Sequence, residues 1–305
     1  MFKNRLIYTL SYLYLFIPIS IFLLAWIKPI ISIPFVLLLA YYLFMSIGYM
    51  PKFNLKISDN KKKLFIVTGI ILIWVWLSGV GGFAWQNIWD HMFRNALFTD
   101  LVNYDWPVIN TDGESPLLLC YYFGFWLPAA LIGKVFNSLE VGYAVQFIWA
   151  FIGVILTYLL ISEKLKKFRL ATILIFIFFS GLDLIIYILN VRGNLHIAID
   201  YLMKFELMEM FSLYFNASSN TTLLFWLYNQ AIPFWIGFML ILLQKDRKYL
   251  YITYALLFLY SPLPAIGLIP VIIYMELKDY KWKKGNAQSS IVGFFKTFFT
   301  AENIV

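Results

Sequence analysis

Residues 6–27, LIYTLSYLYLFIPISIFLLAWI, and 30–50, IISIPFVLLLAYYLFMSIGYM, are two apolar runs without a charged side chain, parted by Lys28-Pro29. At ~1.5 Å per residue each helix reaches about 30 Å, the thickness of a bilayer's hydrocarbon core. Similar runs recur near 64–82, 141–161, 170–190 and 223–243, and another long apolar stretch covers 249–275. The whole chain of 305 residues is 62% hydrophobic, 20% aromatic and 13% charged. Soluble domains are roughly 45–50% apolar and about 25% charged, so a soluble fold is excluded. Backbone groups in lipid need internal partners, which makes the spans helical. The expectation is an all-α polytopic transmembrane helical bundle of about seven or eight spans. The first run follows Lys3 and Arg5 with no small-residue cleavage signal, so it reads as an anchor rather than a removed leader.

Basic residues cluster in the short loops: Lys52 with Lys56, Lys61, Lys62 and Lys63; Lys164 with Lys166, Lys167 and Arg169; Lys245 with Arg247 and Lys248; and Lys278 with Lys281, Lys283 and Lys284. This is the pattern that keeps loops cytoplasmic, and it accounts for the net charge of +8 without nucleic acid. If the apolar segment 116–136 crossed, the Lys164 and Lys245 clusters would fall outside. It is therefore expected to lie in the interface or re-enter, broken at Gly124 and Pro128, with Tyr121, Tyr122 and Trp126 at headgroup level. The same parity makes 249–275 cross twice or re-enter, with Pro262, Pro264 and Pro270 as breaks. Cys120 is the only cysteine, so the chain has no disulfide framework and no thiolate metal site.

The two outer segments, 83–140 and 191–222, then hold nine acids against four lysines and arginines. Acids contribute little to topology, so this excess invites a functional reading beside the plain one of solvated loops. Residues 85–97, WQNIWDHMFRNAL, separate on a helical wheel. Gln86, Asn87, Asp90, His91, Arg94 and Asn95 take one half, while Trp85, Ile88, Trp89, Met92, Phe93, Ala96 and Leu97 take the other. Such a helix is expected to lie flat on the bilayer with its polar half wet. Asp90 and Arg94, four apart, can pair with each other or jointly meet a charged ligand. Asp100, Asp105-Trp106-Pro107 and Asp112-Gly113-Glu114 follow. Beside a membrane, the forked donors of Arg94 suit a phosphate, and the Tyr121 and Tyr122 rings suit a sugar or an isoprenoid chain. A carboxylate there either takes a proton from an acceptor hydroxyl or holds a divalent cation such as Mg or Mn, and spacing does not choose between them.

This loop resembles the GT-C superfamily of membrane glycosyltransferases, which use polyprenyl-phosphate or polyprenyl-diphosphate sugars. Asp90 matches the position of that group's essential acid, and SPLLLCYYFGFWLPAAL looks like its later membrane-parallel jaw segment. The strings RNALFTDL, YDWPV, YYFGFWLPAALIGK, FSGLD and SSNTTLLFWLYNQAIP look like an uncharacterised family of large bacterial membrane proteins that is itself GT-C-like. The resemblance covers residues 64–275 and implies a membrane core with outer loops 83–140 and 191–222. Residues 1–50 precede it as two transmembrane helices. Residues 276–305 follow as a basic cytoplasmic loop, where relatives would continue with more spans, so the chain reads as truncated. Departures are the two extra leading spans and the lack of an adjacent Asp-Asp, Asp-Glu or Glu-x-Asp pair after the third span, which counts against a metal.

Asp183, inside the 170–190 run, is costly at that depth and is a functional candidate beside its reading as a helix-packing pair. His196 and Asp200 have i,i+4 spacing, which more often marks a surface pair than a metal site. Between 218 and 230, Ser219, Asn220, Thr221, Thr222, Asn229 and Gln230 enter a span, either lining a polar cavity for a sugar or serving as caps and interhelical hydrogen bonds. What the resemblance implies is transfer of a sugar from a polyprenyl-phosphate donor to an extracytoplasmic acceptor at a bacterial cytoplasmic membrane. Asp90 would be base or metal ligand, assisted by Asp100, and Arg94, Asn95, His91, Tyr121, Tyr122, Asn229 and Gln230 would meet substrate. The alternatives are a transporter or flippase for lipid-linked saccharides, in which Asp183 matters, and a non-catalytic assembly subunit.

Overall fold

A computed structural model describes residues 5–84, 86, 90–111, 116–180 and 218–279, and helices are numbered over those residues. The chain is mostly helical, and four helices are long and apolar enough to cross a membrane: α1 (Leu6–Trp26), α2 (Pro29–Tyr49), α6 (Leu139–Leu165) and α8 (Asn220–Leu243). Four, rather than about seven or eight, meet that criterion among the described residues. Helix α3 (Lys61–Leu77) stops at 17 residues. Of the expected 170–190 span, α7 (Leu170–Phe178) is described, and Asp183 lies outside the described residues. The 249–275 stretch divides into α9 (Leu250–Ala255) and α10 (Pro262–Asp279).

The prolines act differently from expectation. The chain breaks at residues 256–261, ahead of all three prolines, and Pro262 opens α10, where a missing N–H leaves no intrahelical bond unmade. Pro270 sits inside that helix. Segment 116–136 is also not one broken helix. Leu117–Leu118 pairs antiparallel with Ile109–Asn110, and a single turn at Gly124–Trp126 leads into α5 (Leu127–Val135). Pro128 occupies the first turn of α5, so it starts the helix instead of interrupting it. Gly124–Val135 rises only about 18 Å, too short to cross.

Two compact units share the chain, one drawn from Met1–Asn54, Asp105–Pro128 and Pro233–Val305, the other from Leu55–Tyr104 and Ala129–Ile232. Helices α1 and α2 thus belong with the C-terminal helices. In this first unit the Tyr12 hydroxyl lies 2.9 Å from Thr253 Oγ1 and accepts from Ser46 Oγ at 2.8 Å, and Gln244 Nε2 donates to Ser46 Oγ at 3.0 Å. The seam joins α1, α2, α9 and the residue after α8. Apolar side chains gain little from one another in lipid, so polar bonds of this kind, about 1 kcal/mol each, hold such helices in register. Pro18 inside α1 cannot donate to the Tyr14 carbonyl four residues back. The buried Tyr260 hydroxyl reaches that carbonyl at 3.2 Å and Leu15's at 3.0 Å. Tyr260→Phe should therefore lower stability by about 1 kcal/mol, and the loss should shrink in a Pro18→Ala background, where the helix supplies its own donor. Thermal unfolding of the four chains of that cycle measures this.

In the second unit α3, α6 and α7 pack together, and α4 (Asp90–Asn103) lies across α6. The turn after α3 contains Gly79, Gly81 and Gly82, all with φ near +80°. A Cβ on Gly81 would sit 2.7 Å from the Tyr143 carbonyl oxygen and 2.9 Å from Phe147 Cβ, so both backbone conformation and space require glycine. Lys134 donates to the carbonyls of Val102 at 3.3 Å and Tyr104 at 2.6 Å, closing the C-terminal end of α4. Ser138 caps α6, accepting from the Val141 N–H at 3.2 Å.

Candidate functional site

Helix α4 carries its polar residues as the wheel groups them, but the polar half is not uniformly wet. His91 and Arg94 are 1% and 3% exposed, whereas Met92 and Phe93 of the apolar half are exposed and Leu97 is buried. A wheel shows which residues share a face, and α6 and α8 decide what covers that face. The cover is Tyr228 of α8, whose ring lies 5.6 Å from the Arg94 guanidinium carbon and 6.1 Å from the His91 ring. Tyr228 is in turn held by Gln146 of α6, whose Nε2 donates to the phenol oxygen at 3.1 Å.

Arg94 reaches out of this buried patch to Asp90, Nη2 to Oδ1 at 3.3 Å. The Asp90 side chain is 44% exposed, so the pair has one buried and one open end. Among the described residues a second guanidinium nitrogen, Nη1, is buried with no hydrogen-bond partner, and both side-chain polar atoms of the fully buried Asn229 also have none. Buried donors left unmet are costly, and they mark where a polar ligand or water would be welcome.

His91 holds a hydrogen bond to the Ser78 backbone. Burial, then the neighbouring Arg94 charge, depress its pKa from 6.5 to about 4, so the ring is neutral at pH 7. The folded state disfavours the proton that the unfolded chain accepts. Stability from this group is thus full above pH 6.5 and lost as pH falls toward 4, by about 3 kcal/mol at ~1.4 kcal/mol per unit. Thermal unfolding of the wild type and His91→Gln across that window should show the acid-induced loss steepest in the wild type.

Helix α4 also contributes Asn95 to a cleft of about 400 Å³, within the ~300–1,000 Å³ range of small-molecule sites, which neither Asp90 nor Arg94 lines. Its lining comes from the turn after α3 (Gly81, Gly82, Phe83 and Gln86), from Asn95 of α4 and from Glu140 and Tyr143 of α6. Asn95 Nδ2 donates to Gln86 Oε1 at 2.9 Å, and Gln86 Nε2 to the Gly79 carbonyl at 2.6 Å, so the turn and α4 are pinned through their amides.

The remaining residues singled out in the sequence fall elsewhere. Asp100 lies about 15 Å along α4 from Asp90, so the two carboxylates cannot serve one acceptor hydroxyl. Tyr121 and Tyr122 stack on each other, centroids 4.0 Å apart, within the first unit. Asn220 and Thr221 serve as interhelical hydrogen bonds, donating to the carbonyls of Phe176 and Ile177 at 2.8 Å each at the end of α7, while Ser219 Oγ accepts from the Thr222 N–H as a cap. Gln230 is partly buried. Trp85, Asn87, Ile88, Trp89, Asp112, Gly113, Glu114, His196 and Asp200 lie outside the described residues. Among the described residues no three His, Cys, Asp or Glu side chains gather to hold a metal ion.

Sequence reasoning missed Tyr228, Gln146, Tyr143 and the glycine turn. Gly79-Val80-Gly81-Gly82 was a visible signal for a close backbone approach. Tyr143 and Gln146 are three apart on α6, a polar pair on one face of a span. Comparison of the chain with models of known protein families, with curated proteins and with solved structures returned no match.

Proposed function

We propose that the chain is a membrane glycosyltransferase that moves a sugar from a polyprenyl-phosphate-linked donor to an acceptor hydroxyl on the extracytoplasmic face of a bacterial cytoplasmic membrane. One observation carries this reading: a half-exposed carboxylate paired with a buried guanidinium that, among the described residues, has an unused donor. Asp90 takes the acceptor's hydroxyl proton as the oxygen attacks the anomeric carbon. The bond from that carbon to the phosphate oxygen breaks, its electron pair leaves with the lipid phosphate, and Arg94 Nη1 donates to the charge that develops there. Attack opposite the leaving group inverts the anomeric centre. Helix α4, about 21 Å long, is too short to cross the hydrocarbon core by itself, which is compatible with a place at the bilayer surface, where a lipid-linked phosphate would be presented. The sequence resemblance to GT-C enzymes points the same way, with Asp90 at the acid's position.

The test is a reconstitution. Purified chain in liposomes, supplied with a polyprenyl-phosphate-linked radiolabelled sugar and an acceptor glycan, should move label from the organic to the aqueous phase faster than protein-free liposomes. Movement of the labelled lipid between leaflets without any transfer would support a flippase and contradict the proposal.

A further inference from the structure

The cleft that Asn95 of α4 lines is built from residues that the transfer chemistry does not use. Its lining combines two aromatic rings, a carboxylate, two side-chain amides and two glycines, in place of the cations that would favour a phosphate. The Glu140 carboxylate forms no ion pair or hydrogen bond among the described residues, although it stands on the cleft wall rather than in a charged network. Each of its oxygens can accept from a hydroxyl, and such charge-assisted bonds are about twice as strong as neutral ones. Asn95 spends its Nδ2 on Gln86 and has its carbonyl oxygen left to accept. The Tyr143 ring, tilted 38° against Phe98 at 5.1 Å, supplies a flat apolar surface set in place by packing. Gly82 brings its backbone close to that ring: a Cβ there would stand in van der Waals contact with Tyr143 Cγ at 3.9 Å. A rigid aromatic face, a two-oxygen acceptor and adaptable amides around a cavity match a ring that is apolar on its faces and hydroxylated round its edge.

We infer that this cleft binds the sugar ring of the lipid-phosphate donor, with Glu140 and Asn95 accepting its hydroxyls and Tyr143 lying against its face. The inference rests on the transferase reading. Placement favours the donor's sugar: Asn95 of the cleft and Arg94 are neighbours in α4, with side chains about 100° apart round the helix axis, and the sugar is bonded directly to the phosphate that Arg94 would contact. Glu140 and Tyr143 are, on this account, binding residues that discriminate between sugars, while Asp90 and Arg94 act on the bond that breaks.

The full chain in lipid nanodiscs, titrated with the methyl glycosides of glucose, galactose, mannose and N-acetylglucosamine, tests this by saturation-transfer NMR. At least one glycoside should bind the wild type. Glu140→Ala and Tyr143→Leu should each weaken that binding at least tenfold with thermal midpoints within a few degrees of wild type, and Tyr143→Phe, which keeps the ring, should retain it. Binding of none of the four, or binding indifferent to both substitutions, overturns the inference. The two readings fail separately. Product formation together with glycoside binding that ignores Glu140 and Tyr143 removes the cleft alone. Glycoside binding through those residues in a chain that transfers no sugar removes the transferase and leaves a saccharide-binding site.

Discussion

Asp90→Asn, expressed at the wild-type level, should lower transfer of sugar to the acceptor by about 10²–10⁴-fold, the range for losing a general base. The amide keeps the size of the side chain and its hydrogen-bonding reach to Arg94, but it cannot take the acceptor's proton. The Asp90 side chain is 44% exposed but its partner Arg94 is buried, so losing the carboxylate charge leaves the guanidinium with a neutral amide, and a lower thermal midpoint is expected. Transfer is therefore compared per folded molecule, and product should disappear by far more than the loss of folded protein explains. A strain relying on Asp90→Asn that still makes its glycan at the normal rate would remove Asp90 from the reaction.

Arg94→Gln should be the second large effect, about 10²–10³-fold in transfer, as found when one preorganised donor to a developing negative charge is removed. This side chain is buried on Tyr228, so its stem and ring contact are lost with its charge, and a drop in stability is expected as well. Arg94→Lys distinguishes the causes. It keeps the charge beside Asp90 but lacks the fork that pairs with Asp90 and offers Nη1 at once, so stability should recover more than activity does. If Asp90 and Arg94 act on one bond, the double variant should be scarcely worse than the single ones, because each loss already disables the unit. Independent, multiplying losses would place the two residues in separate steps.

Parts of this architecture were legible in the chain and parts were not, for physical reasons. Uninterrupted apolar runs specify α1, α2, α6 and α8, because length and composition are the whole requirement for crossing a bilayer. The Asp90 and Arg94 pairing follows from helical periodicity alone, and the structure places the two side chains 3.3 Å apart. What covers that face did not follow from it. Gln146 and Tyr228 are 82 residues apart, and only tertiary packing puts them over Arg94, so a face expected to be wet is buried at His91 and Arg94. The run at 219–222 stayed open in the sequence, since its residue types fit a cavity or a cap equally, and the neighbouring end of α7 shows which carbonyls its side chains bind. Tyr260 binding the carbonyl exposed by Pro18 was likewise unreadable, since the two are joined only by packing across more than 240 residues.

The account turns on the side of the membrane that holds the ion pair. Cys120, the chain's single cysteine, is exposed, and no helix long enough to cross separates it from Asp90 among the described residues. A membrane-impermeant maleimide applied to intact cells, with Cys120→Ser as control, reports its side directly. The account predicts labelling in intact cells equal to that after permeabilisation, and labelling that appears only after permeabilisation would contradict it.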